Sequence, residues 1–408
     1  MTSTHNGAPP FITRVQIENY RSIAACHVQL SPLTVLVGPN AAGKSNFLDA
    51  IRFVRDALHS SPGQALESRG GLQEVLHKGP SGQETDLFRI RLDTHVPEPG
   101  AEQHGLDFTY VLEVGASPAG GSAPVLRREE VKLSGLGRGD QFIPEMAQGR
   151  GVAWRDDILL PRSAQTDADV EALYLRLRDM RFHELLTPVL RAVDDTPSST
   201  GGGMFGERGE HLARVLSALA QQHSWVKETI DGYLSGMVDN ASGVDGVEVP
   251  EGDLAFVVGR FLDADAQVVK VDRRSLSEGT LRLAGVLAAL FQPRALTGEI
   301  PFIGIEEPEI SLHPPMVGAL YDALVAAARN TQVMVTTQSA DLLDNAAVDQ
   351  GHLLVVRDDG SGTAIGPIDE GGRRLLDDGV LTLPDLLRSG EMRPAKTAAG
   401  ENTRAGMR

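Results

Sequence analysis

Leu33-Thr34-Val35-Leu36-Val37-Gly38-Pro39-Asn40-Ala41-Ala42-Gly43-Lys44-Ser45 is the stretch on which the reading of this chain turns. Four aliphatic residues and a threonine in unbroken succession are what a strand buried on both faces requires. The next eight residues fit G-x-x-x-x-G-K-[ST], and Phe47, Ile51, Val54 and Leu58 then recur at helical spacing. The order is strand, glycine loop, helix. Such a pattern arises by chance in a chain of this length on the order of once in a hundred, and the flanking strand and helix are the context it needs. Glycines let successive backbone N–H groups turn inward around a phosphate, and a helix N-terminus adds a partial positive charge. Lys44 is spaced to reach the β- and γ-phosphates of a nucleotide, and the Ser45 hydroxyl to ligate Mg2+.

A triphosphate site also needs carboxylates, and Phe302-Ile303-Gly304-Ile305-Glu306-Glu307-Pro308-Glu309 supplies them at the end of an apolar strand. Glu306, last on that strand, is the candidate metal ligand. Glu307, one position further, is the candidate general base for an attacking water. A third piece, Leu276-Ser277-Glu278-Gly279-Thr280, heads a long apolar helix running from Leu281 to Phe291. A serine and a glycine at a helix start offer a hydroxyl and free N–H groups to an anion, although a serine there also serves as an ordinary N-cap.

Composition narrows the remainder. With 41% hydrophobic and 23% charged residues the chain is globular rather than fibrous or wholly disordered. Against 38 basic residues stand 55 acidic ones, a net charge of −17, so nucleic acid, if bound, needs a local basic patch. A single cysteine, Cys26, excludes a disulfide framework and a cysteine-ligated zinc site and fits a reducing cytoplasm. No signal peptide and no run of about 18 apolar residues is found, so the expectation is a cytoplasmic protein without a membrane partner. The 11 histidines show no metal-binding spacing.

Along the chain, residues 1–10 read as a disordered tail and 11–164 as an N-terminal lobe. That lobe carries the glycine loop and an antiparallel meander from about residue 85 to 134, where Phe88, Ile90 and Leu92 and then Phe108, Tyr110, Leu112 and Val114 alternate. Residues 165–238 turn to helical period and read as an inserted lid with a flexible joint at 194–203, either a partner or DNA surface or a lid packed on its own core. Residues 239–390 form a C-terminal lobe in which strands at Phe302–Ile305, Gln332–Thr336 and Leu353–Val356 alternate with helices, the mark of a parallel sheet. Asp358-Asp359-Gly360 is a hairpin turn signal. Residues 391–408 read as a second disordered tail.

Taken together, Gly38 to Ser45, Leu276 to Thr280 and Ile305 to Glu309, followed by Thr336-Thr337-Gln338-Ser339, resemble the ATP-binding-cassette type of P-loop ATPase. The set is most similar to the RecF/SMC-like AAA family ATPases with a split, AAA_21-type domain. The opening Ile17-Glu18-Asn19-Tyr20-Arg21-Ser22 is similar to the start of those heads, and the resemblance spans about residues 11 to 390. It implies an α/β P-loop NTPase fold: an ABC/SMC-like ATPase head with a mixed-sheet lobe, a helical insertion subdomain and a parallel-sheet core. It also implies ATP and Mg2+ as ligands and a homodimer that sandwiches two ATP molecules. Carried over by position, Gly38, Pro39, Asn40, Ala41, Ala42, Gly43, Lys44 and Ser45 hold the nucleotide and Ser45 and Glu306 the metal. Glu307 and Gln338 are the catalytic pair, and Ser277, Glu278 and Gly279 act in trans. Gln338 departs from the histidine that many members carry there, and it cannot become a cation. For the family's glutamine-bearing loop, Gln73 is the one candidate, with a plain solvent-exposed glutamine as the other reading.

Three functions follow from the resemblance. The first is an ATP-driven dimeric switch in DNA repair and maintenance or in defence against foreign DNA. The second is a slow-turnover ATP sensor that controls a separate effector such as a nuclease, favoured by Gln338 and by the lack of an acidic nuclease cluster in the 70 residues after it. The third is the nucleotide-binding subunit of a transporter, disfavoured by the 233-position separation of Lys44 and Ser277.

Overall fold

The computed structural model describes residues 10–79, 85–98, 101–117, 124–135, 138–142, 158–196, 204–360 and 362–395. The chain divides into two units, the first comprising residues 1–180, 350–382 and 389–408, the second 181–349 and 383–388. In chain order the first unit holds β1 (Ile12–Tyr20), β2 (Ile23–Gln29), β3 (Leu33–Val37), α1 (Lys44–His59), α2 (Pro62–Glu67), α3 (Leu72–Val75), β4 (Leu87–Glu98), β5 (Ala101–Ala116), β6 (Pro124–Gly135), β7 (Arg138–Phe142), α4 (Leu160–Ser163) and α5 (Ala168–Arg178). The second continues with β8 (Arg181–His183), α6 (Thr187–Arg191), α7 (Leu212–Gln222), α8 (Ser224–Met237), β9 (Ala241–Val249), β10 (Leu254–Leu262), β11 (Val268–Asp272), α9 (Glu278–Phe291), α10 (Pro293–Leu296), β12 (Phe302–Glu306), α11 (Pro314–Ala327) and β13 (Gln332–Thr337). The chain then returns to the first unit with β14 (Leu353–Asp358), β15 (Thr363–Gly366) and α12 (Glu370–Asp377), and α13 (Leu383–Arg388) belongs to the second.

In the first unit an antiparallel sheet runs β2-β1-β4-β5-β6-β7. Alternation puts Phe88, Ile90 and Leu92 of β4 and Phe108, Tyr110, Leu112 and Val114 of β5 into the core, as the period-two pattern predicts. Helix α1 is fastened to this sheet by aromatic contacts: Phe53 meets Phe88 at 5.1 Å and Tyr20 at 6.3 Å between ring centroids, and within the sheet Tyr20 meets Phe88 at 5.2 Å. Elsewhere in the unit β3, buried at all five residues, pairs in parallel with β14, Leu353 opposite Val35 and Val355 opposite Val37. β14 turns back into β15 at the expected hairpin, where Asp358 accepts from the Gly360 N–H at 2.8 Å.

The second unit contains the parallel set β13-β12-β8 and a three-stranded antiparallel sheet β11-β10-β9. Gly246 on β9 is required by packing, because a Cβ there falls 1.7 Å from the Ala213 carbonyl of α7. Helix α9 is buried from Gly279 to Phe291, and the Phe291 ring stacks on Tyr233 of α8 at 5.2 Å.

The structure departs from the expected boundaries in three places. The segment 165–238 is not one inserted body, since α5 falls in the first unit, α6 to α8 fall in the second, and the strand β8 lies between them. The joint expected at 194–203 is partly ordered, because Asp194 exchanges backbone hydrogen bonds of 2.8 Å with Ala255; residues 197–203 lie outside the described residues. The C-terminal tail does not begin at 391. Met392 is fully buried, and Arg357 donates to the carbonyls of Met392 at 3.0 Å and Gly390 at 2.6 Å. The expected tails otherwise fall on residues 1–9 and 396–408, outside the described residues.

Candidate functional site

The first unit carries the glycine loop. β3 delivers the chain to Gly38, where a Cβ falls 2.1 Å from the Val356 carbonyl of β14, so the loop begins against a strand backbone. Pro39, Asn40 and Ala41 form its exposed tip, and Ala41 adopts φ 61. Gly43 closes the loop at φ 102 as the residue before α1. A Cβ on Gly43 falls 2.1 Å from Thr363 Oγ1 and 2.8 Å from Ser22 Oγ, so conformation and space both demand glycine. The same hydroxyls hold the loop: Thr363 Oγ1 donates to the Ala42 carbonyl at 3.0 Å and lies 2.7 Å from Ser22 Oγ, to which Asn46 Nδ2 donates at 2.6 Å.

Lys44 is buried, and its Nζ donates to the carbonyls of Gly38 and Pro39, both at 2.9 Å. Ser45 is exposed in the first turn of α1, which carries no acidic residue, so the positive end of a 16-residue helix is not offset by its own carboxylates. This donor set fits a phosphate chain. Beside it the Ile17 to Ser22 stretch ties α1 to β1 through Asp49. Tyr20 donates to Asp49 at 2.8 Å, and Arg21 and Arg69 each lie 2.9 Å from that carboxylate. Burial, with Asp49 adding to it, pushes the Tyr20 hydroxyl well above its usual range. Gln73 is exposed on α3.

The second unit carries the carboxylates and the serine-glycine helix start. Glu306 is the last residue of β12, opposite Thr336 on parallel β13. Glu307 adopts φ 42, and its N–H is shared between the Thr336 carbonyl at 3.0 Å and Thr336 Oγ1 at 3.1 Å. A left-handed glutamate costs about 1–3 kcal/mol and is the kind of strain found where a side chain is aimed for use. Both glutamates are half-buried, and Gln338 is exposed just past the end of β13. Glu306, Glu307 and Gln338 therefore share the carboxyl ends of adjacent parallel strands, where ligands of such sheets bind.

Ser277 is the N-cap of α9. Its Oγ accepts from the Thr280 N–H at 3.0 Å and lies 2.7 Å from Thr280 Oγ1. Ser277 and Glu278 are exposed, and Gly279 is buried because a Cβ there falls 2.4 Å from the Ser311 carbonyl. The structure thus places Ser277 and Glu278, but not Gly279, on an accessible surface of the second unit and divides the expected site residues between the two units.

Two residues of this region escaped the sequence reading. Arg282, the lone charge inside an apolar helix, donates to the carbonyls of Leu185 and, at 3.3 Å, Glu307, so it links α9 to the carboxylate turn. Burial draws its guanidinium below the ordinary range, against the pull of Glu278, Glu309 and Glu307. Glu309 is buried: Thr337 Oγ1 donates to its Oε1, and Oε2 has no hydrogen-bond partner. A charge in an otherwise apolar run was the available signal for Arg282. Nothing in the sequence marks Glu309 as the buried member of its acidic group.

Two family models match this chain, "AAA ATPase domain" over residues 11–80 and "AAA domain, putative AbiEii toxin, Type IV TA system" over 254–344. In structure the chain is similar to an SMC head bound to the C-winged helix domain of ScpA, with a TM-score of 0.55 at 13% identity over 90% of this chain and 100% of that one. The likeness shows the fold, that of an SMC head. A second SMC head, with an extended coiled coil and bound to the C-terminal domain of ScpA derived from Pyrococcus furiosus, gives a TM-score of 0.50 at 14% identity over 91% of this chain and 100% of that one. No curated protein matches this chain in sequence. No helix among the described residues is long and apolar enough to cross a membrane.

Glu309 yields a pH prediction for the second unit. Burial raises its carboxyl above the ordinary value, so its contribution to stability is present below the unfolded pKa and is lost as pH rises through the folded one. As pH rises from the ordinary glutamate range toward neutrality the wild-type melting temperature is expected to fall relative to that of Glu309→Gln. Parallel melting curves across that range would show that the carboxyl titrates normally.

Proposed function

We propose that the protein binds and hydrolyses ATP as a homodimeric switch in which each nucleotide lies between two copies of the chain. The observation that carries this reading is the left-handed Gly43, pressed against Thr363 and Ser22 at the head of a helix whose first turn bears no acid. In this reading the backbone N–H groups of residues 40–45 and the Lys44 ammonium hold the β- and γ-phosphates. Mg2+ would be held by the Ser45 hydroxyl and the Glu306 carboxylate and would offset phosphate charge. Glu307 takes the proton of the attacking water. Ser277 and Gly279 of the other copy present the start of α9 to the γ-phosphate, which makes dimerisation depend on the uncleaved nucleotide.

The cellular role within this reading is DNA maintenance or defence against foreign DNA, supported by the resemblance to RecF/SMC-like proteins. A second reading, a slow ATP sensor for a separate effector, is favoured by the exposed Gln338, which can hydrogen-bond a phosphate oxygen but cannot supply positive charge. The similar SMC heads are seen bound to ScpA domains, which supports a protein partner under either reading.

Glu307→Gln is expected to bind ATP, to hydrolyse it at least about a hundredfold more slowly, and to accumulate as a dimer in ATP with Mg2+. Light-scattering mass reads this directly, and a monomer at saturating ATP would remove the switch. Turnover measured with and without duplex DNA, with Lys44→Ala as the blank, separates the two roles: stimulation by DNA supports the first reading, equal rates the sensor.

A further inference from the structure

The segment from Leu185 to Arg191 touches the serine-glycine helix start at an unusual number of points. Arg191, the last residue of α6, donates through Nη1 to the Arg274 carbonyl at 3.0 Å and through Nη2 to the Leu276 carbonyl at 3.1 Å. Arg273 answers by donating to the Arg191 carbonyl at 2.6 Å. Thr187 Oγ1 donates to Glu278 Oε1 at 2.8 Å, and Arg282 donates to the Leu185 carbonyl. Gly285 of α9 lets the segment come this close, since a Cβ there falls 2.9 Å from Leu185 Cδ1 and 3.0 Å from Leu190 Cδ2.

Resting on the ATP-sandwich reading above, we propose that residues 185–191 are a strap that sets the position of the loop from Arg273 to Leu276, which leads into Ser277, with Arg191 as its positioning residue. The strap orients Ser277 toward the nucleotide held by the other copy. The loop from Arg273 to Leu276 is braced within itself from Asp272, whose carbonyl accepts from Ser275 N–H at 2.8 Å and whose carboxylate accepts from Arg274 N–H at 2.9 Å. What fixes its last carbonyl, directly ahead of Ser277, is the Arg191 fork. A guanidinium holds two acceptors in one plane at fixed spacing, and a lysine ammonium on a flexible stem does not. The residues at the two ends of this fork are 83 and 85 positions apart in sequence, so the strap ties the start of α9 to a distant stretch of the same unit.

Because Ser277 acts in trans in this reading, a defect at Arg191 belongs to the partner's nucleotide and not to the chain's own. Arg191→Ala is expected to lower single-turnover hydrolysis about tenfold or more while binding a fluorescent ATP analogue within about twofold of wild type. Arg191→Lys is expected to fall between the two. Mixing equal amounts of Arg191→Ala with Lys44→Ala should restore roughly a quarter of wild-type turnover, because half the dimers are then mixed and each holds one intact composite site of two. Ser277→Arg mixed with Lys44→Ala is the reference. If that reference recovers and the Arg191→Ala mixture stays at the sum of its parts, the strap has no role in positioning Ser277. Weak analogue binding by Arg191→Ala alone would also overturn it. If the reference mixture itself stays flat, the sandwich reading fails, and the strap falls with it.

Discussion

Backbone amides can close around a phosphate only if the chain makes a left-handed turn where no side chain fits, and in this molecule that turn is Gly43. Its φ of 102 is held from three directions: by β3 arriving from the core, by α1 leaving toward the aromatic cluster of Phe53 and Phe88, and by the hydroxyls of Thr363 and Ser22. Thr363 stands more than three hundred residues along the chain from the loop it braces. The first unit is built so that its last strands complete what its third strand begins. This accounts for the chain leaving after α5 and returning at β14.

The second unit solves a different problem, keeping charged groups in and beside a largely buried helix. α9 is buried from Gly279 to Phe291, and the one charge in that stretch, Arg282, donates to the carbonyls of Leu185 and Glu307 while its Nε has no hydrogen-bond partner. One buried guanidinium thereby joins the helix that begins at Ser277 to the turn that carries Glu307. Glu309, buried behind that turn with one oxygen unpartnered, adds a cost that its hydrogen bond from Thr337 offsets only in part. Strain at Glu307 and an unsatisfied carboxyl at Glu309 within three residues are features that packing alone does not select, and their concentration supports a chemical role for the turn.

What the sequence displays and what it hides follow from the range of each interaction. The strand before Gly38, the helix after it, the end of β12 at Glu306 and the Ser277 cap are local patterns, and each stands where periodicity and capping chemistry put it. The sheet of β9 to β11 went unread because Gly243 and Gly246 interrupt its alternation and because Asp245 and Arg260, an ion pair at 3.0 Å, place charges where an apolar face is sought. The pairing of β3 with β14, the Thr363 brace, and the grip of Arg191 on two backbone carbonyls join residues far apart in sequence. A single sequence records no such partners, and backbone acceptors leave no residue signature at all.

The central claim, that two copies close on one nucleotide with the glycine loop of one facing the Ser277 end of the other, has a direct probe. Cys26 is the protein's lone cysteine, and burial pushes its thiol up to about 12, so it leaves the background for thiol chemistry low. Asn40→Cys and Glu278→Cys, both at exposed positions, can be made in separate preparations, mixed, and treated with a short bis-maleimide. A covalent heterodimer is expected to form in ATP with Mg2+ and to be absent without nucleotide or with Lys44→Ala in the Asn40→Cys chain. Cross-linking that ignores ATP, or none at all at saturating nucleotide, would contradict the central claim.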